Sequence, residues 1–221
     1  LYADNDEIVL AASQVAFGHL YNPNVLDAAD VPKGWDDLLN PALTGRITTD
    51  DVRRAGSGFA TLSHLLWDGR YTADYVEGLA AQNIVFQASS PAAGAAVATG
   101  EYAVHGWYPM SFFMRDKAAG APVEFVFPTE GGVHSSPHYI GLIKGAKNPD
   151  AAKLLAAWLF TPEAQQAATE IGYHAVIPGQ PGVPGFPSMD GLDLFKPFNL
   201  SDLVAINDAS REVTQAAFAA Y

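Results

Sequence analysis

Short apolar runs that alternate with helical patterns constrain the fold of this chain more than any other feature. Residues 8–12 and 84–86 are apolar, residues 123–127 are apolar except for Glu124, and all three runs are short enough for strands. Between them lie stretches with an apolar residue every three or four positions, as at residues 75–80. There is no internal repeat of the length used by solenoids or propellers. The alternation predicts an α/β fold.

The best-marked helix begins near Asn148. Asn148 can cap a helix, Pro149 fits the first helical position, and Asp150 suits the positive end of the helix dipole. The residues that follow form one apolar stripe: Ala151, Leu154, Leu155, Trp158 and Leu159. This spacing predicts a helix with a buried face. Residues 178–187 are rich in proline and glycine and predict an extended connection, and residues 201–221 predict a terminal helical segment.

Composition and charge exclude several classes of protein. Hydrophobic residues make up 49% of the 221 residues, so the chain can bury a core. There are 24 acidic and 12 basic residues, and a net charge of −12 argues against a nucleic-acid partner. The absence of cysteine excludes disulfides, thiolate metal sites and a cysteine nucleophile. No apolar run reaches the roughly 18 residues that span a bilayer. The start lacks a signal-peptide pattern, so we expect a mature or truncated piece of a longer protein.

Catalytic and metal-binding motifs are missing. The sequence contains no HExxH, GxSxG or Walker-type motif. His134 and His138 are four residues apart, but Pro137 breaks the helix that would place both on one face. The other histidines are isolated from one another in sequence. We therefore expect a binding protein without catalytic residues, cofactor or metal; an enzyme on the same architecture is the alternative.

Two serine-containing loops precede helical patterns and are candidate ligand contacts. At residues 55–58, glycines come directly before a helix, where bare backbone N–H groups can bind a carboxylate or phosphate. Residues 87–91 follow a strand, and ligands of open α/β sheets bind at the carboxyl ends of strands. The predicted contacts are Ser57, Gly58, Ser89 and Ser90. The alternative is that these residues are ordinary helix caps, with Ser90 as the cap and Ser89 as the freer hydroxyl.

Two further segments follow predicted strands at residues 102–106 and 123–127. After the first strand, Trp107 and Tyr108 can wall a pocket while Ser111 orients the ligand. After the second strand, glycines give the backbone conformational freedom, and Glu130 can contact a ligand cation or a partner lobe. Core packing is the alternative for the aromatic pair, and a solvated turn is the alternative for Glu130.

The order of several motifs, rather than any one of them, resembles a known family. The matching stretches are Val31-Pro32-Lys33-Gly34-Trp35, Pro41-Ala42-Leu43-Thr44-Gly45-Arg46-Ile47, Ser57-Gly58, Thr99-Gly100-Glu101-Tyr102, Pro128-Thr129-Glu130-Gly131 and Lys144-Gly145-Ala146-Lys147-Asn148-Pro149-Asp150 with Pro162-Glu163-Ala164-Gln165. Together they span roughly residues 8 to 175. In this order they resemble the type II periplasmic solute-binding proteins of ABC transporters, and most closely the branch that includes ferric-ion-binding proteins.

The resemblance implies two α/β lobes, each a mixed sheet with helices on both faces, joined by hinge strands around a ligand cleft. It also implies that lobe 1 is incomplete here, because family members begin with a stretch that builds much of that lobe. By analogy, residues 1–17 form a hinge strand region and residues 18–122 form lobe 2. Residues 123–178 supply the return hinge strand and lobe 1 elements. Residues 179–221 form a connection and C-terminal helices that pack on lobe 2.

One departure from the family bears on the ligand. Ferric-binding members carry an adjacent tyrosine pair where this chain has Phe112 and Phe113 after Ser111, and phenylalanine cannot ligate iron. The helix starts at Ser57 and Ser89 favour an anionic or polar organic solute, such as a phosphorylated compound, a phosphonate or a carboxylate. Ferric ion and a polyamine-like or thiamine-like cation are the competing ligands.

The resemblance implies the substrate-binding component of an ABC-type importer. Its partners are then a small-molecule solute and a membrane permease, and we expect a monomer in the full-length protein. The implied location is periplasmic or extracellular, with or without a lipid anchor. A ligand-sensing domain of a membrane receptor is the remaining alternative.

Overall fold

The computed structural model describes residues 2–4, 7–196 and 202–220 and confirms the α/β class. The strands among these residues are β1 (Tyr2–Asp4), β2 (Glu7–Tyr21), β3 (Ile47–Asp50), β4 (Val85–Gln87), β5 (Val104–Pro109), β6 (Glu124–Val126) and β7 (Ser135–Ile140). The α-helices are α1 (Ser57–Asp68), α2 (Ala73–Ala81), α3 (Ser90–Ala98), α4 (Met110–Ala118), α5 (Pro149–Leu159), α6 (Pro162–Glu170) and α7 (Leu203–Ala217). Among these residues, no helix is both long and apolar enough to cross a membrane.

The chain divides into two compact units. Unit 1 comprises Leu1–Ala16 and Ser135–Leu192, and unit 2 comprises Phe17–His134 and Asp193–Tyr221. The return crossing therefore falls at residues 134–135, later than the predicted strand at 123–127. The reason is that β6 pairs with the last residues of β2 inside unit 2, so the chain has not yet left that unit.

Unit 2 is built on a mixed five-stranded sheet with the order β6-β2-β5-β3-β4. β3 pairs with both β4 and β5 in the parallel direction, whereas the end of β2 runs antiparallel to β5 and β6. Fully buried apolar side chains fill the core, among them Trp35, Ile47, Leu62, Leu79 and Trp107. Because parallel strands point the same way, β3, β4 and β5 end at one edge of the sheet.

Unit 1 pairs the first part of β2 with β7 in antiparallel register, from Leu10 opposite Ile140 to Ala16 opposite Ser135. The helix predicted after Asn148 is present as α5, but its predicted buried face is wrong. Leu154, Leu155 and Trp158 are 73%, 57% and 51% exposed. In the described part of unit 1, α6 packs on α5, and no layer covers the stripe. The stripe borders a groove of about 350 Å³ that is also lined by Leu10 and Ile140.

Candidate functional site

Three strand-to-helix junctions meet at one edge of the unit 2 sheet, which we call the carboxyl edge. β3 ends at Asp50 before α1, β4 ends at Gln87 before α3, and β5 ends at Pro109 directly before α4. The loops of an open parallel sheet diverge at this edge, so they leave room for a ligand there. Of the predicted contacts, Ser57, Ser89 and Ser111 lie at these junctions.

One of the backbone N–H groups that the sequence predicted to be bare at the start of α1 is bonded to a carboxylate of the protein. The carboxylate of Asp50 accepts a hydrogen bond from the backbone N–H of Gly58 at 3.1 Å and lies 3.4 Å from the hydroxyl of Ser57. Asp50 is itself buried. A protein carboxylate thus occupies the position predicted for an anionic ligand, because the positive end of the helix attracts the nearest negative charge. Gly58 is buried as well, so Ser57 is the more accessible of the two predicted contacts.

The structure assigns the cap of α3 to the other serine of the pair, and the more exposed hydroxyl is that of Ser89, as expected. Ser89, not Ser90, is the cap, because its hydroxyl accepts a hydrogen bond from Ala92 N–H at 3.3 Å. Ser90 is buried, and its hydroxyl lies 3.1 Å from Nε2 of His105. Nδ1 of His105 accepts the backbone N–H of Trp107, so Nε2 carries the proton and donates to Ser90. Ser90 therefore supports the core, and Ser89 is the exposed hydroxyl.

The aromatic pair lies within β5 rather than after it, and neither side chain reaches the surface. Trp107 and Tyr108 are both 0% exposed, and Trp107 belongs to the main hydrophobic cluster. The hydroxyl of Tyr108 donates to Asp116 at 2.5 Å, and burial together with this carboxylate raises the pKa of Tyr108 far above its usual value. In this conformation both rings are core residues, which was the alternative for them in the sequence.

Ser111 and Glu130 differ in their settings. Ser111 is half-buried in the first turn of α4, where no side chain caps the helix. The adjacent Phe112 packs on Tyr108, and Phe113 packs on Phe125. The side chains of Phe112 and Phe113 are apolar. Glu130 is exposed in a loop that forms an isolated parallel bridge with Gly34. The structure thus leaves Ser111 available at the carboxyl edge and Glu130 in solvent.

Two arginines near the start of α1 were missed by the sequence analysis. Arg53 forms an ion pair with Asp51 at 2.8 Å, and its guanidinium stacks over Phe86 at 5.1 Å from the ring centroid. Arg54 also pairs with Asp51, at 3.3 Å. The hydrogen bond to Asp51 raises the pKa of Arg53. Partial burial of Asp51 acts to raise its pKa, but hydrogen bonds from Arg53 lower it overall. The acidic and basic run between β3 and the glycines was the signal available in the sequence.

The described residues contain no group of three or more histidine, aspartate or glutamate side chains that could hold a metal ion. The carboxyl edge instead offers the hydroxyls of Ser57, Ser89 and Ser111 with two guanidinium groups nearby in sequence. Such groups bind polar or charged organic molecules through hydrogen bonds.

Solved structures with the same fold include periplasmic binding proteins. The periplasmic binding protein P5PA is 25% identical, with a TM-score of 0.73, over 95% of this chain and 68% of its own. AfuA from Actinobacillus pleuropneumoniae, solved with fructose-6-phosphate, is 23% identical with a TM-score of 0.73 over 94% of this chain and 66% of its own. Iron-bound HitA from Pseudomonas aeruginosa is 17% identical with a TM-score of 0.76 over 97% of this chain and 70% of its own. These similarities confirm the predicted type II periplasmic-binding-protein fold.

Sequence comparison leads to the same family. An uncharacterised protein of Haemophilus influenzae is 30% identical over 149 residues, which are 66% of this chain and 42% of that protein. The chain thus matches less than half the length of this relative. The family model for bacterial extracellular solute-binding proteins matches residues 5–189. The resemblance predicted from the order of the motifs is confirmed, and the chain belongs to the bacterial extracellular solute-binding protein family.

Proposed function

We propose that the protein is the solute-capturing component of an ABC-type importer and acts outside the cytoplasmic membrane. Its ligand is a small polar or anionic organic solute, held at the carboxyl edge of unit 2 and delivered to a membrane permease. The observation that supports this most is the meeting of three strand ends and three helix starts at one edge, in a chain of the solute-binding family. A change of conformation when the solute binds would supply the signal that a permease recognises.

An organic solute fits this chain better than ferric ion. Proteins of this fold include AfuA, solved with a sugar phosphate, and HitA, solved with iron, so the fold accommodates both classes. In this chain Phe112 and Phe113 stand where the family resemblance implies a tyrosine pair in iron-binding members. Among the described residues, the carboxylates and imidazoles form no cluster that could ligate a metal. Hydroxyl and guanidinium groups favour phosphate or carboxylate oxygens.

Asp50→Asn is expected to reveal the sign of the solute's charge. Asparagine retains an oxygen for the Gly58 N–H but removes one negative charge from the carboxyl edge. An anion such as fructose-6-phosphate should then bind about fivefold more tightly, because removing one nearby repulsion is worth about 1 kcal/mol. A cation such as spermidine should bind correspondingly more weakly. Isothermal titration calorimetry with both probes, inorganic phosphate and ferric citrate measures these changes.

Asp27→Asn is the matched control. It makes the same charge change beyond the end of β2, which runs antiparallel to β5, so Asp27 lies towards the opposite edge of the sheet. Its affinity for every probe should equal that of the wild type. Equal shifts in both variants would mean that the solute does not bind at the carboxyl edge. A tyrosinate-to-iron absorption band with ferric citrate would overturn the assignment of an organic solute.

Ser57→Ala is expected to weaken binding of the solute about tenfold, because the Ser57 hydroxyl lies a long 3.4 Å from Asp50 and turns to donate to a charged group of the solute. Native mass spectrometry of the gently purified full-length protein should also retain a small molecule that calorimetry can then test. An affinity unchanged in Ser57→Ala removes this residue from the site. Failure to retain any molecule or to bind any probe contradicts the proposed function itself.

A further inference from the structure

Two of the three chain crossings between the units, at residues 16–17 and 134–135, are joined to each other within unit 2, and the third crossing lies at residues 192–193. The chain enters unit 2 at Phe17 and leaves it at His134. The rings of these two residues stack with centroids 4.4 Å apart and an interplanar angle of 14°. The backbone N–H of Phe17 also donates to the carbonyl oxygen of His134 at 2.9 Å. These two crossings are therefore linked through both the ring and the backbone of His134.

The imidazole of His134 has a hydrogen-bond partner on one side only. It is 0% exposed, and its Nδ1 lies 2.8 Å from the hydroxyl of Thr61 on α1. Its Nε2 has no hydrogen-bond partner among the described residues. The ring of His64, one helical turn after Thr61, lies 4.4 Å from the ring of His134. A neutral imidazole fits this pocket, whereas an imidazolium would bury an N–H without an acceptor.

The charged groups near the pocket do not stabilise a positive charge on the imidazole of His134. On α1, Asp68 lies one turn beyond His64 and pairs with Arg70 at 2.7 Å, and Arg70 pairs in turn with Asp193. Glu130, on the segment that leads to His134, is exposed. On β2, Phe17 is uncharged, and the imidazole of His19 is engaged by the carbonyl of Gly106 at 2.7 Å.

Burial, reinforced by the nearby His64, lowers the pKa of His134 well below its usual value. Burial also lowers the pKa of His64, against opposing effects of the Ala60 carbonyl and Asp68. The two histidines thus form a neutral pair at neutral pH. If one of these two imidazoles gains a proton at low pH, its ring must move into solvent.

We propose that His134 makes the paired crossing acid-sensitive, so that a proton on its imidazole opens the Phe17–His134 contact while the remainder of unit 2 stays folded. Opening separates the stack and breaks the backbone hydrogen bond between the two crossing residues. The device acts on the Phe17–His134 contact within unit 2 and does not depend on the identity of the solute.

Amide hydrogen exchange between pH 7.5 and 5 tests this proposal. The Phe17 amide should show lower protection than the Ala93 amide of α3, which donates to Ser89 in the core of the unit. Below pH 6.5 the protection factor of Phe17 should fall about tenfold per pH unit, as expected for one proton taken up on opening. His134→Phe retains an aromatic stack and should abolish this pH dependence. His138→Gln, in unit 1, should leave it unchanged.

Two results would overturn the proposal. One is an equal pH dependence at Phe17 in His134→Phe and the wild type, and the other is protection at Phe17 that equals that of Ala93 at every pH. If His134→Phe does not fold, the NMR titration of the His134 ring in the native protein decides instead. The ring should remain neutral down to the pH at which the contact opens. Titration near pH 6 or above with the Phe17 amide still protected contradicts the proposal.

Discussion

Replacing Gly94 with alanine is expected to lower the free energy of unfolding by about 2–3 kcal/mol, although alanine is the better helix former. A Cβ at Gly94 in α3 would lie 2.3 Å from the hydroxyl oxygen and 2.5 Å from Cζ of Tyr108. Tyr108 is buried in β5 and hydrogen-bonded to Asp116, so it has no free space into which to move. Urea unfolding followed by circular dichroism measures the loss.

Gly78→Ala is the matched control within α2. A Cβ there would approach only the terminal methyl carbons of Leu39, at 3.2 and 3.3 Å, and this flexible side chain can adjust. The stability should therefore change by no more than about 0.5 kcal/mol or rise slightly. If Gly94→Ala proves as stable as the wild type, Tyr108 can leave the core. Such mobility would restore Tyr108 as a candidate ligand contact.

Acidification from pH 7 to pH 5 is expected to lower the free energy of unfolding by about 4 kcal/mol, because two histidines of unit 2 are buried in the neutral form. Burial lowers the pKa of His19 to about 4, although the hydrogen bond to Gly106 opposes the shift. Burial, together with the nearby His19, lowers the pKa of His105 to about 3. Both imidazoles are neutral in the folded protein, whereas they gain protons below about pH 6.5 in the unfolded chain.

The protein is less stable in acid because its unfolded state takes up more protons than its folded state. Above pH 6.5 neither state binds a proton at these histidines, so the protein keeps its full stability there. Because the unfolded state binds more protons below pH 6.5, each histidine lowers the free energy of unfolding by about 1.4 kcal/mol per pH unit until the pH reaches the folded-state pKa. Urea unfolding curves at pH 7, 6 and 5 measure the loss. His105→Gln cannot titrate, so it should reduce the slope by about 1.4 kcal/mol per pH unit. Equal stability of the wild type at pH 7 and pH 5 would show that these rings are not buried and neutral.

Part of the candidate site was predictable from sequence, because it depends on local order along the chain. A strand and a glycine-containing loop precede Ser57, and a helix begins at that residue, so the junction could be located without the fold. The capping of that helix by Asp50 was not predictable in the same way. Asp50 is seven residues before Ser57, and only the turn between them brings the carboxylate onto the helix start.

The burial of Trp107 and Tyr108 also required the tertiary structure. All six residues of β5 are buried, because neighbouring strands flank it and α1, α3 and α4 pack against it. A strand covered on both faces shows no alternation of polar and apolar residues, so its sequence does not tell a pocket wall from a core residue. The exposed stripe of α5 is the converse case. Its periodicity predicts a face that suits burial, but burial also requires a neighbouring element.

The sequence by itself determined the α/β class, the succession of strands and helices, and membership of the solute-binding family. These properties depend on local periodicity, turn residues and the order of short motifs. The tertiary structure decided that a carboxylate of the protein caps α1, that the aromatic pair lies in the core, and that His134 joins two of the crossings between the units. Each of these depends on contacts between side chains that are distant in sequence or brought together by a turn, and no local pattern specifies such contacts.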